Sequence, residues 1–465
     1  MLRLTHRARG RVAASAVALT SVLLAGCMNN LKDELLSPQQ PGVIDPSSVA
    51  NLTAADALYT GALGRWKNSM NGNGGNTESI WNWEALFTDE VRSADTFSQR
   101  NDADQRNLQT NDAVLTPIYQ NAQQARGRAR DAITALLLYD TTPAGKQHTG
   151  EMYLQMGYIE MELSQAFCNG IPFGETVAGV PQYTAPLTDA DGFKLAITRL
   201  DSAVLYLTGT DVGTSNIKNA VLVTKGRAQV SLGDFAGAAA TVAAVPTSFQ
   251  YTFDYSQTTF DNEWWVMGPS VKRYNPGDSI DVAGPILNAI PFTRLNDPRV
   301  SVTDTKTKAE DNTTNFFQVN NWGRDDPIPL ASGIDARLIE AEAKLQANDI
   351  AGMMTILNAL RTTPQTIGVF KVAAMAALPT PADKTSATDL FFREKALWQY
   401  ERGFRMDDLR RLVRQYGRTQ DKVFPTGNFT RNGVPSGVFG TQVAFPVPDN
   451  EKSNPNFTGC IDTKA

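Results

Sequence analysis

The tetrapeptide Leu24-Ala25-Gly26-Cys27 closes a short apolar run from Ala13 to Leu24, behind a start that carries Arg3, Arg7, Arg9 and Arg11. A basic segment, a greasy segment and small residues before a cysteine form a lipobox: signal peptidase cuts before the cysteine, whose thiol takes a thioether-linked diacylglycerol. Residues 1–26 are therefore expected to be a lipoprotein signal peptide and Cys27 the lipidated first residue of the mature chain. A second acyl chain, on the new amine, makes such an anchor stable. The apolar run is shorter than the roughly 20 residues a spanning helix needs. Met28 and Asn29 follow Cys27 where an aspartate typically retains a lipoprotein on the inner membrane. The expected location is the outer membrane, lipid-anchored and exported.

The remaining chemistry is limited by what the chain lacks. Only His148 survives removal of the leader, because the other histidine is His6. Any nucleophile-histidine mechanism has to use that one imidazole. A zinc site of several imidazoles is excluded, and a cysteine-rich one lacks the cysteines, since only Cys168 and Cys460 remain. Those two can pair in an oxidising compartment, and spacing alone leaves them paired or free. Neither a phosphate-binding G-x-x-x-x-G-K-[ST] loop nor a dinucleotide G-x-G-x-x-G follows a strand-like run. Carboxylate doublets such as Asp325-Asp326 and Asp407-Asp408 keep a two-carboxylate hydrolase in play, although doublets are far more often caps or solvated faces. The net charge of −5 disfavours nucleic acid as a partner. No catalytic residue, cofactor or metal is expected.

The elements that must carry any site are mostly helical. Ala228-Gln229-Val230-Ser231-Leu232-Gly233-Asp234-Phe235 and Ala343-Lys344-Leu345-Gln346-Ala347-Asn348-Asp349-Ile350 share one layout. Gly233 or Asn348 can take the left-handed conformation that ends a helix, and Asp234 or Asp349 can cap the next. Such helix-turn-helix pairs are tetratricopeptide-like units. Apolar residues recur at helical spacing from Leu115 through Tyr119, Ala122 and Ala125 toward Ile133 and Leu137, and again from Met152 to Phe167. Thr188 with Asp191 reads as a capping-box variant. Trp66, Trp398 and Tyr59 fit core stripes. Asn68–Asn76 and Ser248–Pro329 break the period, being rich in Asn, Gly, Asp and Pro. The expected fold is all-α in the main, a tetratricopeptide-like helical-repeat scaffold with long irregular loops and a few short strands. With 465 residues and 42% hydrophobic composition, residues 27–465 are expected to form a single domain with loop insertions near 66–110 and 248–330.

An ordered set of motifs resembles the SusD/RagB family of outer-membrane nutrient-binding lipoproteins over nearly the whole mature chain. They are Asn169-Gly170-Ile171-Pro172-Phe173-Gly174, Ala185-Pro186-Leu187-Thr188 with Leu200-Asp201-Ser202-Ala203, Lys225-Gly226-Arg227-Ala228 and Asn296-Asp297-Pro298-Arg299. Toward the C-terminus come Arg337 to Ala343, Gly403-Phe404-Arg405-Met406-Asp407-Asp408-Leu409-Arg410-Arg411, Phe445-Pro446-Val447-Pro448 and Asn454-Pro455-Asn456. One departure is Arg402, where the family usually has glutamate, beside Glu401. The resemblance implies a non-enzymatic protein that captures a glycan, sometimes a peptide, and acts as a lid on a TonB-dependent (SusC-like) barrel transporter. Arg405, Asp408, Arg410 and Arg411 are expected to make charge pairs on one helix, worth tenths to about one kcal/mol each where exposed.

Ligand residues vary within the family, so the site has to be chosen physically. Sugar rings lie on aromatic planes by their C–H faces, and their hydroxyls need directional polar partners. Trp81, Asn82 and Trp83 beside an Asn/Gly-rich loop, and Trp265, Tyr274, Trp322 and Arg324 in the second irregular region, supply that mixture. These are the ligand-binding candidates. A helical scaffold that binds an envelope protein is the alternative reading, and a surface glycan hydrolase the third.

Overall fold

A computed structural model of the chain describes residues 51–465 apart from 75–77, 178–179 and 433, so the signal peptide and Cys27 lie outside the described residues. Residues 51–465 form one compact unit.

Helices dominate it. They are α1 (Leu52–Asn71), α2 (Ile80–Phe87), α3 (Ser98–Gln105), α4 (Leu115–Tyr139), α5 (Pro143–Ala166) and α6 (Asp189–Tyr206), then α7 (Val212–Ser231), α8 (Phe235–Val242), α9 (Gly333–Gln346), α10 (Ile350–Thr362), α11 (Lys384–Trp398) and α12 (Arg405–Arg414). Neighbours in the array pack in series: α1 on α4, α4 on α5, α5 on α6, α6 on α7, α7 on α8, α8 on α9 and α9 on α10. The two matched turns form as the sequence indicates. Gly233 and Asn348 both take positive φ, at 82° and 59°. Asp234 accepts the Gly237 amide at 2.9 Å and Asp349 the Gly352 amide at 2.8 Å. Thr188 caps α6 by accepting the Asp191 amide at 3.1 Å.

Small residues set the helix spacing. A Cβ on Gly157 of α5 would sit 2.9 Å from the Ala196 carbonyl oxygen and 2.8 Å from Leu200 Cγ of α6, so the two helices touch there through bare backbone. Trp66 and Trp398 are core residues, each 1% exposed. Tyr59 departs from expectation: it is only part-buried, and its hydroxyl donates to Glu151.

The irregular regions are more ordered than loops. Within 66–110, α1 runs on to Asn71 and α2 and α3 follow, so Trp81, Asn82 and Trp83 lie on a helix. Short strands of 248–330 pair over long and short range: Tyr274–Pro276 with Val91–Ser93, Gln250–Phe253 with Ile328–Ser332, and, as a local hairpin, Val302–Lys308 with Asn315–Val319. Gly284–Leu287 lies between Ile280–Asp281 and Thr426–Phe429, which pairs onward with Gly437–Val438.

The arginine-rich signature makes charge pairs as expected, but they are buried and draw partners from other helices. Arg410 and Arg411 are both 0% exposed. Arg411 pairs with Glu342 of α9, with Asp408 at 2.6 Å and with Asp407 at 3.1 Å. Arg410 makes no pair with Asp408. It donates to the carbonyls of Gln165 (2.7 Å) and Phe167 (2.9 Å) at the end of α5, and to Asp189 at 2.6 Å. Arg402 forms a buried pair with Asp335 at 2.7 Å, so the departure from the family pattern brings its own partner. Arg299 of the Asp-Pro-Arg element joins Asp297 and Glu394, each at 2.7 Å. Cys168 and Cys460 are disulfide-bonded, with Cα atoms 6.0 Å apart, which settles the pairing that spacing left open.

Candidate ligand-binding cleft

Most of the tryptophans that suggested a site are enclosed. Trp81, Asn82 and Trp83 are 0% exposed, and Tyr274 and Trp322 are each 4% exposed. Contrary to the expectation of an open aromatic face, these side chains are packed into the core. The reason is tertiary: α2 is surrounded, with Trp81 packed against Phe253 (centroids 5.7 Å apart) and Trp83 donating to Glu78 at 2.7 Å. Tyr274 reaches the same Glu78 carboxylate at 3.3 Å, and Arg100 pairs with it as well. Trp83 and Tyr274 thus meet at one buried carboxylate, as a structural knot.

Trp265 and Arg324 remain accessible, and the fold brings them together. Asn262 caps the helical turn Glu263–Trp265, and its amide donates to the Arg324 carbonyl at 2.8 Å, which fixes the two segments side by side. The Arg324 guanidinium stands 5.3 Å from the Trp265 ring centroid and donates to Asp261 at 2.8 Å. An aromatic face flanked by a guanidinium and a carboxylate can accept one sugar ring.

A wider concavity lies elsewhere among the strands. It encloses about 700 Å³ and is lined by Arg92, Ser93, Ile280, Asp281, Val282, Lys308, Thr313, Thr314, Asn315, Phe317, Thr430, Arg431 and Asn432. None of the sequence candidates lines it. Three segments build it. The ribbon 302–319 turns at Asp311, whose carboxylate accepts the amides of Thr313 (2.9 Å) and Thr314 (2.8 Å) and both hydroxyls. Burial pushes the Asp311 carboxyl up, but these bonds outweigh it and hold it below the usual carboxylate value. Buried Asn275 locks the ribbon to Tyr274–Pro276, donating to the Asn315 carbonyl at 2.9 Å and accepting the Phe317 amide at 3.0 Å. Asn432 donates to the Asp311 carbonyl at 3.0 Å and brings in the C-terminal wall.

Arg431 is the electrostatic centre of that wall. It donates to buried Asp104 at 2.7 Å and pairs with Asp281, while Phe429 lies under its guanidinium at 4.7 Å. Burial disfavours the Arg431 charge, yet Asp104 and Asp281 more than offset it and raise the guanidinium above its usual value. Lys308 is tied to Asn315 Oδ1 at 2.8 Å. The result is one half-exposed phenyl face, Phe317, among amides, hydroxyls and fixed cations. Among the described residues Asp281 is the one carboxylate in the lining, and Arg431 engages it. The sequence carries a signal here that involves no tryptophan: Asn312-Thr313-Thr314-Asn315-Phe316-Phe317 sets amides and hydroxyls beside two phenylalanines, one buried and one half-exposed.

A helix-array scaffold with short strands and loops inserted between its helices defines the class of fold. No protein-family model and no curated protein matches the chain. Solved structures match over most of its length, and the chain has the fold of the SusD superfamily. Surface glycan-binding protein A from Bacteroides uniformis superposes with TM-score 0.63 at 12% identity, covering 88% of this chain and 99% of that one. A SusD-like carbohydrate-binding protein from Bacteroides fragilis gives 0.62 at 14% identity over 87% and 98%. A SusD superfamily protein from Bacteroides vulgatus gives 0.58 at 15% identity over 88% and 98%. Among the described residues, no helix is long and apolar enough to cross a membrane.

Proposed function

We propose that this protein is a non-enzymatic, lipid-anchored glycan-binding protein of the outer membrane that takes up an oligosaccharide and delivers it to a TonB-dependent transporter of the SusC type. The observation that carries the reading is the SusD fold holding a cleft of about 700 Å³ whose lining pairs an aromatic face with amides, hydroxyls and cations. Two of the similar structures are described as glycan- or carbohydrate-binding. Pockets of this kind orient a ligand by a few placed polar groups around an apolar face. The lone lining carboxylate, already engaged by Arg431, supports binding over acid-base hydrolysis, which needs a carboxyl pair roughly 5 to 10 Å apart. Trp265 with Arg324 is the second contact surface of this reading.

Titration calorimetry of the purified protein against a panel of oligosaccharides and peptides tests it. A saturable oligosaccharide signal is expected, weakened about fivefold by Phe317→Ala or Asn432→Ala, in line with about 1 kcal/mol for an aromatic or hydrogen-bonding contact. Silence across the panel from folded protein, or binding indifferent to both cleft variants and to Trp265→Ala, counts against it. Delivery is tested separately: mild detergent extraction is expected to co-purify a barrel transporter, and lone lipoprotein after cross-linking contradicts that step.

A further inference from the structure

One cluster of potential ligands stands apart from both surfaces, where α1 begins beside the α4–α5 turn. Asp56 of α1, Asp140 after α4 and His148 of α5 each offer one ligand atom, and these atoms all lie within 4.8 Å of one another. Among the described residues, no hydrogen bond or ion pair joins His148 to either carboxylate, so the three converge without satisfying each other. Asp140 is 8% exposed. The bonds it accepts, from the Thr142 amide at 3.1 Å and the Thr142 hydroxyl, both fall on Oδ1, which leaves Oδ2 free. His148 Nδ1 is fully enclosed and has no hydrogen-bond partner. The imidazole is also held in place, stacked on Tyr59 with centroids 4.0 Å apart and planes 15° apart, while the Tyr59 hydroxyl is tied to Glu151. A buried ring nitrogen left without a partner costs free energy unless something fills the space beside it.

We propose that Asp56, Asp140 and His148 bind one divalent first-row transition ion, with Zn²⁺ the best match, which clips the start of α1 to the α4–α5 turn. The donor set decides the class. One imidazole nitrogen with two carboxylates suits Zn²⁺ and its neighbours, whereas Ca²⁺ takes six to eight oxygens and has no use for the ring. Tetrahedral Zn²⁺ with ligands at about 2.0–2.2 Å holds its donors about 3.3 Å apart. Small side-chain adjustments of part-exposed Asp56 and of Asp140 around the fixed imidazole would close the present separation. Water completes the shell. The scarcity of histidine that excludes a site of several imidazoles leaves room for this one, which needs a single ring.

The test uses the whole protein, stripped with chelator and titrated with ZnCl₂ by calorimetry. One equivalent per chain is expected. His148→Gln and Asp140→Asn are expected to weaken binding at least about tenfold, since even outer-shell changes at metal sites cost that much, while the exposed-site control Asp201→Asn leaves it unchanged. CaCl₂ is expected to give no competing signal. Should a variant lose its helical circular dichroism, the unmodified protein supplies the second readout: Co²⁺ is expected to shift or broaden the His148 imidazole resonance at one equivalent. No zinc uptake, uptake unaffected by His148→Gln in folded protein, equal competition by CaCl₂, or imidazole signals untouched by Co²⁺ would each overturn the proposal.

Discussion

Glu342 shows what a single side chain does in this protein. It is fully buried in α9 and receives Arg411, Lys395 at 3.4 Å and the Tyr416 hydroxyl at 2.7 Å. Burial pushes its carboxyl up, and the two cations and the hydroxyl overcome that and hold it below its ordinary value. Removing the charge leaves Arg411 buried with part of its compensation gone, and breaking a buried pair in that way costs about 3–5 kcal/mol. Glu342→Gln is therefore expected to lower the urea midpoint by a corresponding amount without touching ligand affinity. Gly403 makes the same point for backbone. It has φ 70°, and a Cβ there would stand 2.1 Å from Trp81 Cδ1, so the signature glycine is fixed by the buried indole of α2. The identity of these residues was legible in the motif order; that they are core and not surface was not, because a run such as Arg410-Arg411 reads as solvated until its partners arrive from α5 and α9.

At the level of elements, the helix array depends on close approach. Gly→Ala in an isolated helix gains about 1 kcal/mol. At Gly157 the new methyl meets the Ala196 carbonyl oxygen at 2.9 Å, a backbone atom that cannot rotate away. Overpacking of that kind costs about 1–3 kcal/mol, so the clash wins over the propensity gain. Gly157→Ala is expected to lower the melting temperature, and a rise would show that α5 and α6 can slide apart at no cost. The caps behave more simply. Asp349→Ala removes the acceptor for the Gly352 amide and is expected to cost about 1 kcal/mol, read by thermal melting. These turns and caps were readable from sequence because each rests on residues within five positions of one another. The strands were not, since Val91–Ser93 finds its partner at Tyr274–Pro276 only through the fold.

Across the whole molecule, proton uptake and one covalent link couple distant parts. Glu90 is fully buried; desolvation, only partly offset by Arg405 and the Glu401 amide, pushes its carboxyl from 4.5 up to about 7. Between those values the folded state holds a proton that the unfolded chain has released. The contribution of Glu90 is therefore fully present below about pH 4.5 and declines as the pH rises through about 7, by about 3 kcal/mol in all. Glu90→Gln keeps the acceptor for the Glu401 amide and cannot ionise. Its stability relative to the parent protein is expected to improve from pH 5 to pH 8, and parallel curves would exclude ionisation of Glu90. The Cys168–Cys460 bond spans 292 positions and ties the C-terminal segment to the end of α5. Replacing both cysteines with serine is expected to cost on the order of 2–5 kcal/mol by freeing the unfolded chain, measured by denaturant unfolding under non-reducing conditions.

Sequence by itself determined the helical class, the two matched turns, the Thr188 cap and the exclusion of multi-histidine chemistry, because each follows from local spacing or plain inventory. It also carried Trp265 and Arg324 into the accessible set, though nothing local said that they would meet. Tertiary structure alone decided which aromatics are open. Trp81 and Trp83 sit beside a polar loop in sequence, yet the elements packed around α2 remove them from solvent, while Phe317 gains its place from Asn275, 42 residues away. Exposure and convergence are properties of pairs of distant segments, and a linear pattern of residue types does not encode which segments become neighbours.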